Sequence, residues 1–248
     1  MVEHSFEKII WEITIPVLNE EKTLENNVLS SLEYIKNEVT ANISIVIADN
    51  GSSDMTEKIG MQLSKTHHEI KYLKLSKKGV GLALRTSWLQ SDADFVGYMD
   101  LDLATDLSHL KEVFKLLKMD TYQIINGSRL LKGSEVKNRN FVREITSRCF
   151  NRLVRLMLDV KLTDGMCGFK FFKRSTVVQL IDTGIVTEGW FFSTELLVKA
   201  IWSEIALKEI PIKWTDNKHS KVDIPRLSKQ YLKELFRLKK EKKRFKKY

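Results

Sequence analysis

Tyr98-Met99-Asp100-Leu101-Asp102-Leu103-Ala104-Thr105 is the stretch on which the fold of this chain is read. The apolar run from Phe95 to Met99 has the length and composition of a buried strand, and two carboxylates one residue apart emerge where that strand ends. Open α/β sheets bind ligands outside the carboxyl ends of their strands, so a metal or a phosphate is expected here. Alone, the pair is also what two solvated turn aspartates look like. Its weight therefore depends on the neighbouring strand ends.

Upstream, Ile9 to Pro16 reads as a first strand running into Pro16-Val17-Leu18-Asn19-Glu20, and Leu24, Val28, Leu32 and Ile35 follow at helical spacing. The unbroken apolar run Ile43 to Ala48 is a second, fully buried strand ending in Asp49-Asn50-Gly51-Ser52-Ser53-Asp54. Ile59 and Leu63 mark a helix, and Ile70 to Leu75 a third strand. Lys77-Lys78-Gly79-Val80-Gly81 then leads into a helix carrying Leu84 and Trp88. This alternation predicts an α/β fold with a mostly parallel central sheet flanked by helices. Successive parallel strands present their carboxyl ends on one edge, so Asn19/Glu20, Asp49/Asn50, Lys78/Gly79/Gly81 and Asp100/Asp102 are predicted to converge. Acids and amides suit a base and a ribose, and glycines permit close backbone approach. Paired aspartates suit Mg2+ or Mn2+ carrying a diphosphate.

Downstream, a helix is expected around Leu110 to Leu117, and Ile124 to Arg129 reads as a strand ending on an arginine. Val142 to Leu158 has the pattern of a long helix bearing Arg143, Ser147 and Arg148 on its first turns. Asp164-Gly165-Met166-Cys167-Gly168-Phe169 is a Gly-rich turn before a short strand. Glu188-Gly189-Trp190 opens a helix through Glu195 to Trp202, and Ala206 to Trp214 alternates like an edge strand. With no repeat and no linker, residues 1–225 are expected to form one domain.

A chain of 248 residues that is 43% apolar can bury a full core. No apolar run approaches the roughly 18 residues of a membrane helix, and the first residues lack a signal-peptide pattern, so an intracellular protein, soluble or peripheral, is expected. Cys149 and Cys167 are too few for a disulfide framework, and five histidines without HExxH leave carboxylates as metal ligands. Arg226 to Tyr248 carries eleven Lys/Arg against Glu234 and Glu241, which accounts for the whole net charge of +9. Within this tail Leu227, Tyr231, Leu235 and Leu238 recur at helical spacing. Residues 226–248 thus read as a basic amphipathic helix of the type that docks on an anionic membrane or on nucleic acid. The balanced charge of the remaining chain and its lack of basic-aromatic interleaving speak against nucleic acid as a partner.

Rival α/β readings fail on spacing. A Rossmann dehydrogenase needs GxGxxG directly after its first strand, where this chain has Pro16 to Glu20, and no GxxxxGK[ST] loop exists. A haloacid-dehalogenase phosphatase needs DxDxT on an early strand, with Thr at the position of Ala104.

Pro16-Val17-Leu18-Asn19-Glu20, Ala48 to Asp54, Asp100-Leu101-Asp102, Gly127-Ser128-Arg129 and Cys167-Gly168-Phe169-Lys170, in that order, resemble the inverting family 2 glycosyltransferases of GT-A fold. Asp100 to Thr105, the turn Asp164 to Lys170, Trp190 with Glu195-Leu196-Leu197, and Ser220-Lys221-Val222 look like the dolichyl-phosphate glucose and mannose synthases among them. The resemblance runs from Ile9 to Asp223. It implies transfer of a hexose, glucose favoured, from a nucleotide sugar to a polyprenyl or dolichyl phosphate by metal-assisted in-line displacement. UDP-glucose is the favoured donor and GDP-mannose the other.

The resemblance also implies roles. Pro16, Leu18, Glu20 and Asp49 match positions that hold the nucleotide, where the convergent strand ends add Asn50 and Gly79. Asp100, Leu101 and Asp102 match the segment binding the sugar nucleotide and its Mg2+ or Mn2+, with Asp102 the more direct ligand. Arg129, Arg143 and Ser147 match the group receiving the lipid phosphate, and Lys221 a basic residue beside the donor diphosphate. Asp164 and Glu195 match acidic positions near the sugar. Asp100, Asp102 and Asp164 are the expected catalytic groups, Asp164 as a positioner more than a base.

Departures from the pattern are informative. Ala104 stands where mannose synthases often have a Gln metal ligand, and Ser193 where an Asp is usual. No membrane helix is attached, so the basic tail or a separate anchor subunit would hold the protein at the cytoplasmic face. Two other readings remain: a soluble transferase of the same fold with a glycan or protein acceptor, and a nucleic-acid-binding protein working through the tail.

Overall fold

The computed structural model describes residues 9–39, 41–216 and 224–245. Its first half alternates as the apolar periods predict: β1 (Ile10–Val17), α1 (Leu24–Glu38), β2 (Asn42–Asp49), α2 (Thr56–Thr66), β3 (Ile70–Lys74), α3 (Val80–Gln90) and β4 (Phe95–Met99). These strands lie parallel in the order β3-β2-β1-β4. Alternation along β1 sends Trp11, Ile13, Ile15 and Val17 to one face, where they bury against Leu24, Val28, Leu32 and Ile35 of α1. Each such side chain removed from water contributes about 1.5–3 kcal/mol. The opposite face of β1 is polar but satisfied, since Thr14 bonds Ser87 at 2.8 Å and buried Glu12 accepts from Lys71 at 2.8 Å.

The second half adds α4 (His109–Lys118), β5 (Ile124–Ser128), β6 (Glu135–Lys137), α5 (Phe141–Leu158), β7 (Phe169–Lys173), α6 (Arg174–Asp182), α7 (Phe192–Trp202), β8 (Leu207–Pro211), β9 (Lys213–Thr215) and α8 (Ile224–Phe245). Here β7 is inserted between β4 and β5 and runs against both, with Met99 opposite Phe169 and Ile124 opposite Phe172. Its N-terminus therefore lies at the edge where β1 to β5 have their C-termini. That reversal delivers the turn Asp164–Gly168 to the same edge as Asp100.

The single edge strand expected from Ala206 to Trp214 is corrected to two. Pro211 has no N–H for the ladder and closes β8, and the chain steps across to β9, which pairs with β6 in a separate ribbon beyond the sheet.

The tail reading is also corrected. Tyr231, Leu235 and Leu238 are buried in the second core with Phe150, Phe191 and Leu196, so the apolar stripe of α8 is consumed inside the fold. The Tyr231 ring lies 5.1 Å from that of Phe150 and 5.4 Å from that of Phe191. Hence α8 does not stand apart as an appendage to a domain ending at 225. Leu235→Ala is expected to lower stability by about 2–5 kcal/mol, read as a drop in the urea midpoint with unchanged slope.

Candidate active site

The four polar strand ends converge as the parallel topology requires. The loop after β1 and the loop after β2 are laced together: Asn19 N–H donates to Ser52 Oγ at 2.9 Å, Ser53 N–H to Asn19 Oδ1 at 2.8 Å, and Glu20 N–H to Thr56 Oγ1 at 2.8 Å. Asn19 takes the left-handed conformation (φ 54°) that this turn demands. Asn50 ties three strand ends, donating to Val17 O at 3.3 Å and accepting from Gly79 N–H at 3.2 Å. Pro16 and Glu20 are half-buried on this platform and Leu18 is exposed.

Three expected nucleotide contacts are corrected. Asp49 is 1% exposed, and its carboxylate is taken by its own chain: Ser52 N–H and Oγ–H at 2.8 and 2.7 Å, and the Tyr72 hydroxyl at 2.7 Å. Burial and the Asp49 charge raise the Tyr72 pKa, which keeps the phenol a donor. Asp49 thus organises its loop. Gly79 has already given its N–H to Asn50, and a Cβ there would meet Glu188 O at 2.6 Å, so its bareness serves protein packing. Leu101 is buried, its carbonyl accepting from Asn27 at 3.1 Å.

At the end of β4 the two carboxylates differ. Asp102 is exposed and fixed by Ala104 N–H, which donates to Oδ1 at 3.1 Å. Asp100 lies against Gly168, where any Cβ would stand 1.9 Å from Oδ2. Burial, then the Asp102 charge, push the Asp100 pKa up to about 7. Burial, then Asp216 and Glu20, also raise that of Asp102. This gathering of hard oxygen donors fits Mg2+ or Mn2+. Among the described residues no group of three His, Cys, Asp or Glu encloses an ion. One or two carboxylates with diphosphate oxygens and water are what such a site offers, the usual habit of Mg2+.

Asp164 is fully buried in the turn before β7, and Arg129 grips it twice, Nε to Oδ2 at 2.7 Å and Nη2 to Oδ1 at 3.0 Å. Burial alone would raise its pKa, but the charge and hydrogen bonds of Arg129 hold it down at about 2. The guanidinium also stacks over Trp214, 4.9 Å from the ring centroid. Arg129, expected to receive the lipid phosphate, is thereby corrected to the internal counter-ion of Asp164, and the pairing holds Asp164 ionised and weakly basic.

The other acceptor residues lie on the first turns of α5, whose Asn140 cap accepts from Val142 N–H at 2.8 Å. Arg143 is 24% exposed and bonds Asp216, at the end of β9, at 3.0 and 3.3 Å. The buried Ser147 Oγ has no hydrogen-bond partner among the described residues. Two residues were missed by sequence reasoning. Arg139 meets Glu144 at 2.7 Å, and burial, then the Arg129 charge, lower its pKa. Asp216 pairs with Arg143, and its charge helps raise the Asp102 pKa. Lys221 lies outside the described residues.

Glu195 is corrected too. It is buried in α7, accepts from the Thr187 N–H and hydroxyl, and pairs with Arg237 of α8 at 2.8 Å and with Lys199 at 3.9 Å. Its Oε2 clamps the last helix to the body of the protein through Arg237.

A family model described as "Glycosyl transferase family 2" matches residues 12–180. Glycosyltransferase AglD of Haloferax volcanii is 33% identical over 216 residues, which are 86% of this chain and only 34% of that relative's length. The dolichyl-phosphate beta-glucosyltransferase of Saccharomyces cerevisiae is 27% identical over 234 residues, covering 87% of this chain and 70% of that one. Among solved structures, glucosyl-3-phosphoglycerate synthase of Mycobacterium tuberculosis, determined with Mn2+, UDP and glucosyl-3-phosphoglycerate, superposes with a TM-score of 0.63 at 18% identity, over 90% of this chain and 75% of that one.

Proposed function

Given that the chain belongs to glycosyl transferase family 2 and has the GT-A fold, we propose that it transfers glucose from UDP-glucose to a polyprenyl or dolichyl phosphate, as a peripheral protein on the cytoplasmic face of a membrane. The observation that carries the acceptor assignment is the placing of Arg139 and Arg143 at the root of a helix with an apolar outer row. Phe141 is 76% exposed and Leu156 71%, with Val142 and Ile145 exposed between them. A phosphate grip beside exposed hydrocarbon fits a molecule with phosphate at one end and hydrocarbon at the other. The names of the relatives support the same acceptor. On α8, which packs against α5, Leu232 and Phe236 are exposed among lysines, in place of the buried stripe. No described helix is long and apolar enough to cross a membrane.

The reaction follows from charge. A phosphate monoester has its second pKa near about 6, so the acceptor oxygen is ionised at pH 7 and attacks without a general base. This agrees with an Asp164 already committed to Arg129. The oxygen forms its bond to the anomeric carbon as the bond to the diphosphate breaks, inverting the centre and releasing UDP. Arg143 exchanges Asp216 and Arg139 exchanges Glu144 for the incoming phosphate, and Ser147 takes a further oxygen. Asp102 and Asp100 would hold a divalent ion, which neutralises the departing diphosphate. Asp100 is kept in line by Gly168 behind it.

The test is incubation with polyprenyl phosphate, Mg2+ or Mn2+ and a panel of nucleotide sugars. UDP release from UDP-glucose that depends on the lipid is expected. Release with a water-soluble acceptor alone would overturn the assignment.

A further inference from the structure

Glu209, on the outermost strand β8, is a carboxylate that faces donors only. Its Oε2 accepts from Thr163 N–H at 2.7 Å, and its Oε1 from the Thr163 hydroxyl at 2.8 Å, Asp164 N–H at 3.2 Å and Asn126 Nδ2 at 3.0 Å. The same Asn126 amide donates to Asp164 O at 2.9 Å. The direction of each proton is determined. Ser128 Oγ accepts from Leu130 N–H at 3.2 Å and Leu131 N–H at 3.1 Å, so its own proton goes to Thr163 Oγ1 at 2.6 Å. The Thr163 proton must then go to Glu209. The chain of bonds ends on a carboxylate because every group upstream of it is donating.

This network holds the backbone of one turn. Thr163 and Asp164 open it, Gly168 closes it against the Asp100 carboxylate, and the Asp164 side chain carries Arg129. The far side is pinned as well, by Gly165 N–H on Asn151 Oδ1 at 2.9 Å and the Thr194 hydroxyl on Gly165 O at 2.8 Å. Among the described residues the hydrogen bonds of Glu209 go to Asn126, Thr163 and Asp164, none of them in the loops after β1 and β2.

We propose that Glu209 is a positioning residue for glycosyl transfer, holding the Asp164–Gly168 turn so that Asp100 and the Arg129–Asp164 pair keep the geometry transfer needs. The inference rests on the active-site assignment made above. It separates Glu209 from a residue that merely caps a turn, because its loss should slow the chemical step far more than it weakens donor binding. A glutamine is the informative replacement: it has the same shape but offers one acceptor, and it turns an N–H donor toward donors.

The experiment compares the full chain with Glu209→Gln, Thr163→Val and Thr163→Ser in the lipid-dependent assay. Glu209→Gln is expected to lower kcat by about 10- to 100-fold, the usual effect of removing a group that orients active-site ligands. The UDP-glucose KM should stay within about twofold, as for an interaction made only in the transition state. Thr163→Val should lower kcat by about tenfold and Thr163→Ser, which keeps the hydroxyl, should restore it. Glu209→Gln with wild-type kcat, a loss that follows the unfolded fraction, or Thr163→Ser as impaired as Thr163→Val would each overturn the inference. If the wild-type chain shows no lipid-dependent UDP release, the acceptor assignment fails separately. The variants are then read by amide exchange: faster exchange at Thr163 and Asp164 in Glu209→Gln, with the rest of the sheet unchanged, sustains the inference, and unchanged exchange overturns it.

Discussion

Asp102→Asn is expected to lower kcat by about 10^3-fold, the scale on which a preorganised charge at a departing group acts. Asparagine keeps the oxygen that accepts from Ala104 N–H, so the turn and the left-handed Leu103 (φ 52°) after it should survive. What disappears is the exposed negative charge. Removing one of several mutually repelling carboxylates should leave the urea midpoint unchanged or raised, since Asp216 and Glu20 both raise the Asp102 pKa. Mn2+ affinity in the presence of UDP, measured by calorimetry, should fall in parallel with kcat. Activity kept within about tenfold of wild type would remove Asp102 from the metal's ligands.

The second large effect is on stability. Asp164→Ala leaves the Arg129 guanidinium in a largely buried site without its counter-ion, and breaking such a pair costs about 3–5 kcal/mol. That is a large share of the roughly 5–15 kcal/mol by which a domain is stable. Acid should produce a milder version of the same loss. The Asp164 pKa is depressed to about 2 in the folded chain. Its contribution, about 2–3 kcal/mol, is therefore complete above the unfolded value near about 4 and lost as pH falls through the folded value. Denaturation curves between pH 5 and pH 1 should lose that slope in Asp164→Ala. A variant as stable as wild type would show that Arg129 finds another partner.

The parallel half of the fold was legible because each βα unit is local. An apolar run, a polar turn and a 3.6-residue period identify it without reference to the rest of the chain, and topology then dictates that Glu20, Asn50 and Asp102 share an edge. Three things were hidden. Phe169-Lys170-Phe171-Phe172-Lys173 is apolar enough to be a strand, but nothing in it tells its direction, so the placing of Asp164 beside Asp100 required the sheet itself. Charged residues also look alike in sequence whether they face a ligand or one another. Arg129, Asp49 and Glu195 are each occupied by a partner more than 20 residues away, Asp164, Tyr72 and Arg237 respectively. Arg139 and Asp216, in the polar stretches Lys137-Asn138-Arg139-Asn140 and Thr215-Asp216-Asn217-Lys218, read as solvated loops for the same reason. Glycines were ambiguous too: Gly79 and Gly81 admit Glu188 O and the Phe192 ring, contacts that no local pattern announces.

The insertion of β7 between β4 and β5 also sets the order in which the enzyme can come into being. β1 to β4 pair through consecutive local units as they are synthesised, so the donor loops can close early. Among the described residues β5 pairs only with β7 and β8, and both follow it in the chain. Contacts of such long sequence separation form slowly and late. A nascent chain thus builds the half assigned to the nucleotide sugar first, and acquires the means to hand the sugar on only when β7 and β8 have arrived.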